Sequence, residues 1–470
     1  MASNIETKKS AENTSEQDEA QKKSPLNFII RAVLILGLVV FMVKPYLDKP
    51  RSDDGALQTF KVRGETMGTT WHATIVASPV QIVKLNQQGL ADGKGSAASQ
   101  NSAADEEYQL IGSCEEFLAR VIQNELDKID SAASTYLADS EICKFNASQS
   151  TDWFPVSQEL AEIVATAVKV SEKTHGAYDV TVAPLVNLYR FGPNKAPLAA
   201  LPDDDDIAEI KRVVGYDKLQ ARTGADPAIR KAISELSVDL SSVAKGYAVD
   251  LAAMALENAG LNDYMLEVGG EIRCRGAKLD PLSREKTPWT LGIQTPEVVK
   301  KSAGQHIPDV FRRMKLGSSE ASAALATSGD YNNYLQVGDV RFSHIIDPRT
   351  GKPTEIVEGY QSSAEPRLGS VSVVSDNCNN LTCAEADAYA TAFFVLGQEE
   401  GLPLANELGI PVLFLYRSDD SASEVTEALS DSFSKRVNSR RLDEPEPEAE
   451  DEENDEPKRG KKKLADFFSA

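Results

Sequence analysis

Two hydrophobic periods, one near 3.6 residues and one of two, run through residues 59–417 without strict alternation, and that mixture narrows the fold more than any single motif does. Glu115 to Asp130 set Leu118, Val121, Ile122, Leu126 and Ile129 along one helical face. Ser157 to His175 repeat the pattern, with Ser157 placed to cap the first turn and Gly176 to end the last. Val243 to Ala259 read as a third helix ended by Gly260, and Ala384 to Leu396 as a fourth ended by Gly397. Tyr264 to Arg275, Trp289 to Gln294, Ser370 to Ser375 and Pro411 to Tyr416 read as strands, and Tyr334 to Ile346 as a hairpin turning at Gly338–Asp339. No G-x-G-x-x-G follows a strand, which disfavours a doubly wound dinucleotide fold. The expectation is an α+β domain.

The flanks of that body set its organisation. Residues 1–24 are polar and read as a disordered cytoplasmic leader. Residues 25–44 hold Leu26 to Val43, "LNFIIRAVLILGLVVFMV", 18 residues with one charge, Arg31, close to the ~20 that cross a bilayer. The long leader and the lack of an A-x-A site favour an uncleaved transmembrane anchor over a signal peptide. A tether at 45–58 follows. The body at 59–417 carries a low-complexity insertion at 86–107, and an acidic disordered tail fills 418–470. The location expected is the inner (cytoplasmic) membrane, single-pass, with the body on the extracytoplasmic, periplasmic side. A formal net charge of −22 argues against nucleic acid as a partner. Cysteines number five, with no C-x-x-C; Cys378 and Cys383 are close enough to bridge in an oxidising compartment or to remain free thiols.

Several short stretches carry chemistry. In "AEADAYATAFFVLG", Asp387 and Thr391 sit one helical turn apart, on one face of an apolar helix. A carboxylate and a hydroxyl so placed suit Mg²⁺, which takes few protein oxygens and completes its shell with water and phosphate. The competing reading is a carboxylate placed favourably in a helix's first turn. "DLSSVAKGYAVD" puts the Ser241–Ser242 turn before a helix, with Asp239 upstream and Lys245 and Gly246 just inside. Free N–H groups there would seat a phosphate, and an ordinary capped helix with a solvated lysine is the alternative. In "RFSHIIDPRTG", His344 could act as a general base or merely orient its loop. Met67 in "GETMGTTW" and Tyr178 in "HGAYDVTVAPLV" could flank a flat ring system or pack as core. No G-x-S-x-G elbow, H-E-x-x-H or zinc-spaced cysteine set is present.

Taken in order, "ETMGTTW", "STY", "GAYDVTVAPLVNLYRFG", "DLSSVAKGYAVD", "LEVGGEIRCRG", "ALATSGDYNNY", "FSHIIDPRTGKP" and "AEADAYATAFFVLG" resemble the FAD:protein FMN transferases, the ApbE family. The resemblance covers most of residues 64–397. It implies an α+β fold, a T-fold-like single catalytic domain of mixed and antiparallel sheets flanked by helices. It also implies a membrane-attached enzyme that splits FAD with Mg²⁺, joins FMN through a phosphoester to a threonine or serine of a target protein, and releases AMP. By the same resemblance Met67, Tyr136, Ala177, Tyr178, Asp179, Asp239, Lys245 and Ile346 match FAD-contacting positions. Ser242, Asp387 and Thr391 match the Mg²⁺ positions, Ser242 through its main-chain oxygen, and His344 matches the base. The implied acceptors are flavoprotein subunits of membrane redox complexes. Position 384 is alanine, where some members carry a further acidic ligand. Two alternatives stand beside it: a Mg²⁺-dependent FAD pyrophosphatase using the same residues, and a membrane-anchored module that binds flavin without chemistry, against which the set of Asp387, Thr391, Lys245 and His344 argues because binding alone needs no metal site.

Overall fold

Strand alternation in this chain sends successive side chains into two different cores. The computed structural model describes residues 56–88, 103–193, 198, 200–296, 309–318, 321–330, 334–354, 356–358, 366–376, 379–417 and 425–442. Among these, eight strands form the main sheet: β1 (Gln58–Thr66), β2 (Thr69–Ala77), β3 (Tyr264–Val268), β4 (Glu271–Arg275), β5 (Ala323–Gly329), β6 (Arg367–Ser375), β7 (Val412–Arg417) and β8 (Val425–Leu429). They lie side by side in chain order, each antiparallel to the next. The helices are excursions from this meander. Helices α1 (Ala103–Ala133), α2 (Gln158–Lys173) and α3 (Ala244–Asn258) fall between β2 and β3, and α4 (Cys383–Leu408) between β6 and β7.

One face of the sheet packs Trp71, Ile75, Tyr264, Leu266, Val371, Val373, Val412 and Phe414 against the helical layer. From α1 that layer contributes Leu118, Ile122, Leu126 and Ile129 of the stripe expected from periodicity, with Val121 half-buried beside them and Phe117 added. Residues one step along the strands, Val76, Cys274, Leu325, Val374, Leu413 and Leu415, face the other way. They are covered by a three-stranded sheet of Trp289–Gln294, Val310–Leu316 and Ser439–Arg441. A third, smaller core joins Leu185, Tyr189, Phe191 and Ile207 to Phe342 and Ile346 of the 334–346 segment, with the Phe191 and Phe342 rings edge to face at 5.6 Å. It anchors the hairpin of Tyr334–Val337 and Val340–Ser343, which turns at Gly338–Asp339 as its sequence requires.

Several expectations need correction. Among the described residues every strand pairing is antiparallel, so the sheets are not mixed. Tyr264 to Arg275 is two strands, because Gly269 and Gly270 take positive φ (61° and 109°) and turn the chain back. The expected stop of the fourth helix at Gly397 holds, since that residue leaves helical geometry (φ 63°, ψ −170°); the addition is a second helical stretch of α4 that runs on to Leu408. The fold also continues beyond Arg417. Strand β8 pairs with β7, and Phe433 enters the second core, a contribution masked in the sequence by the polar stretch at 418–424. Helix α1 begins at Ala103 and a helix spans Pro79–Gln87, so the 86–107 insertion is helical at both ends. The stretch Leu26 to Val43 and most of the acidic tail lie outside the described residues, among which no helix is long and apolar enough to cross a membrane.

The junction between α3 and α4 is a close one. A Cβ built on Gly246 would come within 2.5 Å of the Cys383 carbonyl oxygen and 2.7 Å of Ala384 Cα, both backbone atoms. Gly246→Val should therefore destabilise the domain by about 1–3 kcal/mol or more through overpacking, measured as a lowered denaturation midpoint. An unchanged midpoint would contradict this packing.

Candidate functional site: a buried carboxylate–lysine cluster beside an open cavity

At that junction the two helices hold each other by their first turns. The Gly246 N–H of α3 donates to Asp387 Oδ2 of α4 at 3.1 Å, and the Ala384 N–H of α4 donates to Asp250 Oδ2 of α3 at 3.0 Å. Each carboxylate thus meets the positive end of the other helix. Asp387 is not a cap of its own helix. Thr382 is the N-cap and forms a capping box with Glu385, which leaves Asp387 beyond the first turn. The helix-terminus explanation of Asp387 therefore fails for α4 and holds for α3, one of whose N–H groups it takes in place of a phosphate.

Lys245 Nζ reaches Glu271 Oε1 at 2.7 Å and stands 3.7 Å from Asp387 Oδ2. Glu271, at the start of β4, and Asp387 are 2% and 3% exposed. Burial pushes the Glu271 carboxyl up to about 8, with Lys245 opposing the shift and Asp387 adding to it. Burial likewise raises Asp387, with Lys245 and the Gly246 N–H opposing. Burial alone would lower Lys245, but the carboxylates of Asp387 and Glu271 hold its pKa above the ordinary value. Two acids share one ammonium, so with both ionised the cluster would lack a unit of positive charge; in the metal-free protein the raised Glu271 carboxyl covers that deficit with a proton.

It opens onto a cavity of about 360 Å³ lined by Tyr136, Ala177, Tyr178, Asp179, Asp239, Ser242, Lys245, His344, Ile346, Asp387 and Thr391. Of the twelve expected site residues only Met67 lies elsewhere. It occupies the β1–β2 turn (φ 46°) and packs against the main core. Ser242 Oγ donates to the Tyr178 hydroxyl at 3.2 Å, and burial raises the pKa of that hydroxyl. Thr391 Oγ1 shares a hydrogen bond with Ser328 Oγ at 2.9 Å. Asp179 is turned into the protein, its oxygens accepting from the Thr181 N–H and hydroxyl and from the Tyr216 N–H, so it shapes the wall without offering a free carboxylate. Asp239 Oδ1 accepts from the Ser241 N–H at 2.9 Å. His344 lies in the bend after the hairpin strand that ends at Ser343, not inside it, with its ring centroid 6.1 Å from that of Phe191. Tyr136 is 64% exposed, at the rim. Residue-level reading missed Glu271 and Ser328. An acid following Gly269–Gly270 on a strand directed at the helical layer was the available signal for Glu271. Cys383 is a buried free thiol donating to the Ile272 carbonyl at 3.7 Å, and Cys378 lies outside the described residues.

The donors present fit a hard divalent cation. Among the described residues no group of three or more histidine, cysteine or acidic side chains is placed to bind metal. Glu271 Oε2 is buried without a hydrogen-bond partner, and Asp387 and Thr391 face the same cavity. Few oxygens, excess negative charge and room for phosphate are what Mg²⁺ uses.

The ApbE family model matches residues 67–414, which includes every residue of the cluster. The chain belongs to the ApbE family. The FAD:protein FMN transferase of Vibrio cholerae is 34% identical over 361 residues, 77% of this chain and 88% of that protein. The protein of the same name from Escherichia coli K12 is 32% identical over 390 residues, 83% and 93% respectively. Among solved structures, the flavin transferase ApbE of Vibrio cholerae aligns with a TM-score of 0.56 at 31% identity, covering 80% of this chain and 99% of that one. The apo flavinyl transferase ApbE of Pseudomonas stutzeri aligns at 0.58 and 27%, covering 81% and 96%.

The raised carboxyl of Glu271 fixes a sign. Between the ordinary value of 4.5 and about 8 the folded chain binds the proton that the unfolded chain has released. Stability from this group is thus full at low pH and is lost as pH rises through about 8. Chemical denaturation of the metal-free protein across that window should show this decline, and Glu271→Gln should flatten it. An equally steep decline in the variant would contradict the assignment.

Proposed function

We propose that this chain is an FAD:protein FMN transferase: it cleaves FAD at the diphosphate, attaches FMN through a phosphoester to a threonine or serine of an acceptor protein, and releases AMP. The observation that carries this reading is the convergence of eleven residues, from Tyr136 to Thr391 in the sequence, on one cavity beside a buried carboxylate–lysine cluster. The names of the similar proteins support the same activity.

In this reading the isoalloxazine ring lies toward Tyr136, Tyr178 and Ile346, and the diphosphate toward the Ser241–Ser242 turn and Lys245. Lys245 supplies a fixed positive charge there, held by Glu271. Asp387, Thr391 and the Ser242 main-chain oxygen would hold Mg²⁺, which when bound polarises a phosphoryl oxygen and neutralises charge on the departing phosphate. His344 takes the proton of the acceptor hydroxyl at a ring nitrogen. The hydroxyl oxygen attacks the phosphorus on the riboflavin side, and the bond to the bridging oxygen breaks, with its electron pair leaving on AMP. The cavity wall orients the dinucleotide so that the bridging bond faces the hydroxyl. Location belongs to the same proposal: Leu26 to Val43 anchors the chain in the inner membrane, with the body facing the periplasm and acceptor subunits of membrane redox complexes.

Incubation of the full chain with FAD, Mg²⁺ and a candidate acceptor should give a flavin-fluorescent band on a denaturing gel together with AMP. Asp387→Ala should abolish both. AMP without a labelled protein would replace the transferase with an FAD pyrophosphatase. Retained FAD with neither product would leave only a binding module.

A further inference from the structure

Lys231 is 0% exposed, and among the described residues no carboxylate is hydrogen-bonded to its ammonium, Glu235 acting on it only through its charge. Its ammonium donates instead to three main-chain carbonyls: Phe145 at 3.2 Å, Asn146 at 3.4 Å and Leu236 at 3.1 Å. A buried cation is costly unless its donors are used, and here each N–H has an acceptor. Two of these carbonyls belong to the last turn of the short helix Glu141–Ala147, where a positive charge is favoured. The third lies in the segment leading to the Asp239–Ser242 turn. Asn146 makes the next connection. Its side chain accepts from the Val238 N–H at 2.8 Å and donates to the Val238 carbonyl at 2.9 Å, satisfying both main-chain groups of one residue. One residue on, the Asp239 N–H donates to the Val180 carbonyl at 2.8 Å. Residues 236–239 are therefore strapped on both sides before the chain enters the cavity wall. The flanking segment of the same polypeptide, by contrast, is short and irregular, with no strand or helix from 232 to 243 to hold it.

We propose that Asn146 and Lys231 are positioning residues, setting the Asp239–Ser242 turn at the height from which it meets the diphosphate of a flavin dinucleotide. The inference rests on the flavin-transfer reading for the ligand and on the hydrogen bonds alone for the strap. Neither residue lines the cavity. Lys231 serves as a fixed triple donor. Asn146 serves as a main-chain mimic that a carboxylate cannot replace, because Asp lacks the N–H group facing the Val238 carbonyl.

Asn146→Asp and Lys231→Met test this in the full chain, read by FAD titration, steady-state kinetics, thermal melting and amide exchange at Ser241 and Ser242. Contacts of this outer kind typically cost about 10- to 100-fold when removed. The expectation is a rise of about tenfold in the FAD Kd and KM of Asn146→Asp, with kcat at saturating FAD within about twofold of the parent. Amide exchange at Ser241 should be faster in both variants. A lowered melting point with unchanged Kd, KM and exchange would overturn the proposal, since the strap would then serve only the fold. Should Lys231→Met fail to fold, Asn146→Asp decides alone. Should the parent chain itself not bind FAD, the functional reading fails, and exchange at the Ser241 amide alone decides the strap.

Discussion

Two helix N-termini pressed together at Gly246 are the contact on which the site depends. Gly246 of α3 and Asp387 of α4 stand 141 positions apart in the sequence, and each helix supplies the carboxylate that the other's first turn requires, Asp387 for Gly246 and Asp250 for Ala384. The absence of a side chain at Gly246 allows the approach, since the nearest atoms opposite are backbone and cannot move aside. That crossing brings Lys245 beside Asp387, and the hairpin turn at Gly269–Gly270 brings Glu271 to the same point. Asp250 in turn holds Arg273 Nη1 at 2.6 Å, tying the crossing to β4. Reciprocal capping and the unbalanced charge are consequences of one packing arrangement.

The sheet serves that arrangement by separating two cores. Its helical face is closed by α1, α3 and α4, and its other face by an antiparallel layer that ends only at Arg441. The cavity at the edge of the helical layer draws one wall from Thr327, Ser328 and Gly329 of β5, another from the N-terminal parts of α3 and α4, and a third from Val182, Val186 and Phe191 with His344 to Ile346. Tyr136 stands exposed at the open rim of the cavity.

Much of this was legible in the residues. Ser157 announces a helix start by its hydroxyl, and Gly338–Asp339 announces a two-residue turn. Asp387 and Thr391 share a helical face by spacing alone. Less legible were features set by tertiary partners. Asp387 reads as a helix-terminus acid, and it is one, but for the other helix. Glu271 sits in a strand whose period says only that one face is buried, and nothing local reveals that a lysine 26 positions earlier in the chain meets it. Met67 belongs to a motif that matches the family, yet its left-handed backbone turns it toward the core rather than the cavity. Strand β8 follows a polar run that hides its alternation. Lys231 carries no local signal, because its partners are carbonyls of residues 145, 146 and 236.

The central claim is that the charge deficit between Asp387 and Glu271 is met by a divalent cation that also holds the diphosphate of FAD. Crystals soaked with Mn²⁺ and FAD, examined by anomalous scattering, test it most directly. The account predicts one peak within bonding distance of Asp387 and Thr391 and of a phosphate oxygen of the dinucleotide. A peak elsewhere, or nucleotide bound in the cavity with no metal beside Asp387, would contradict it.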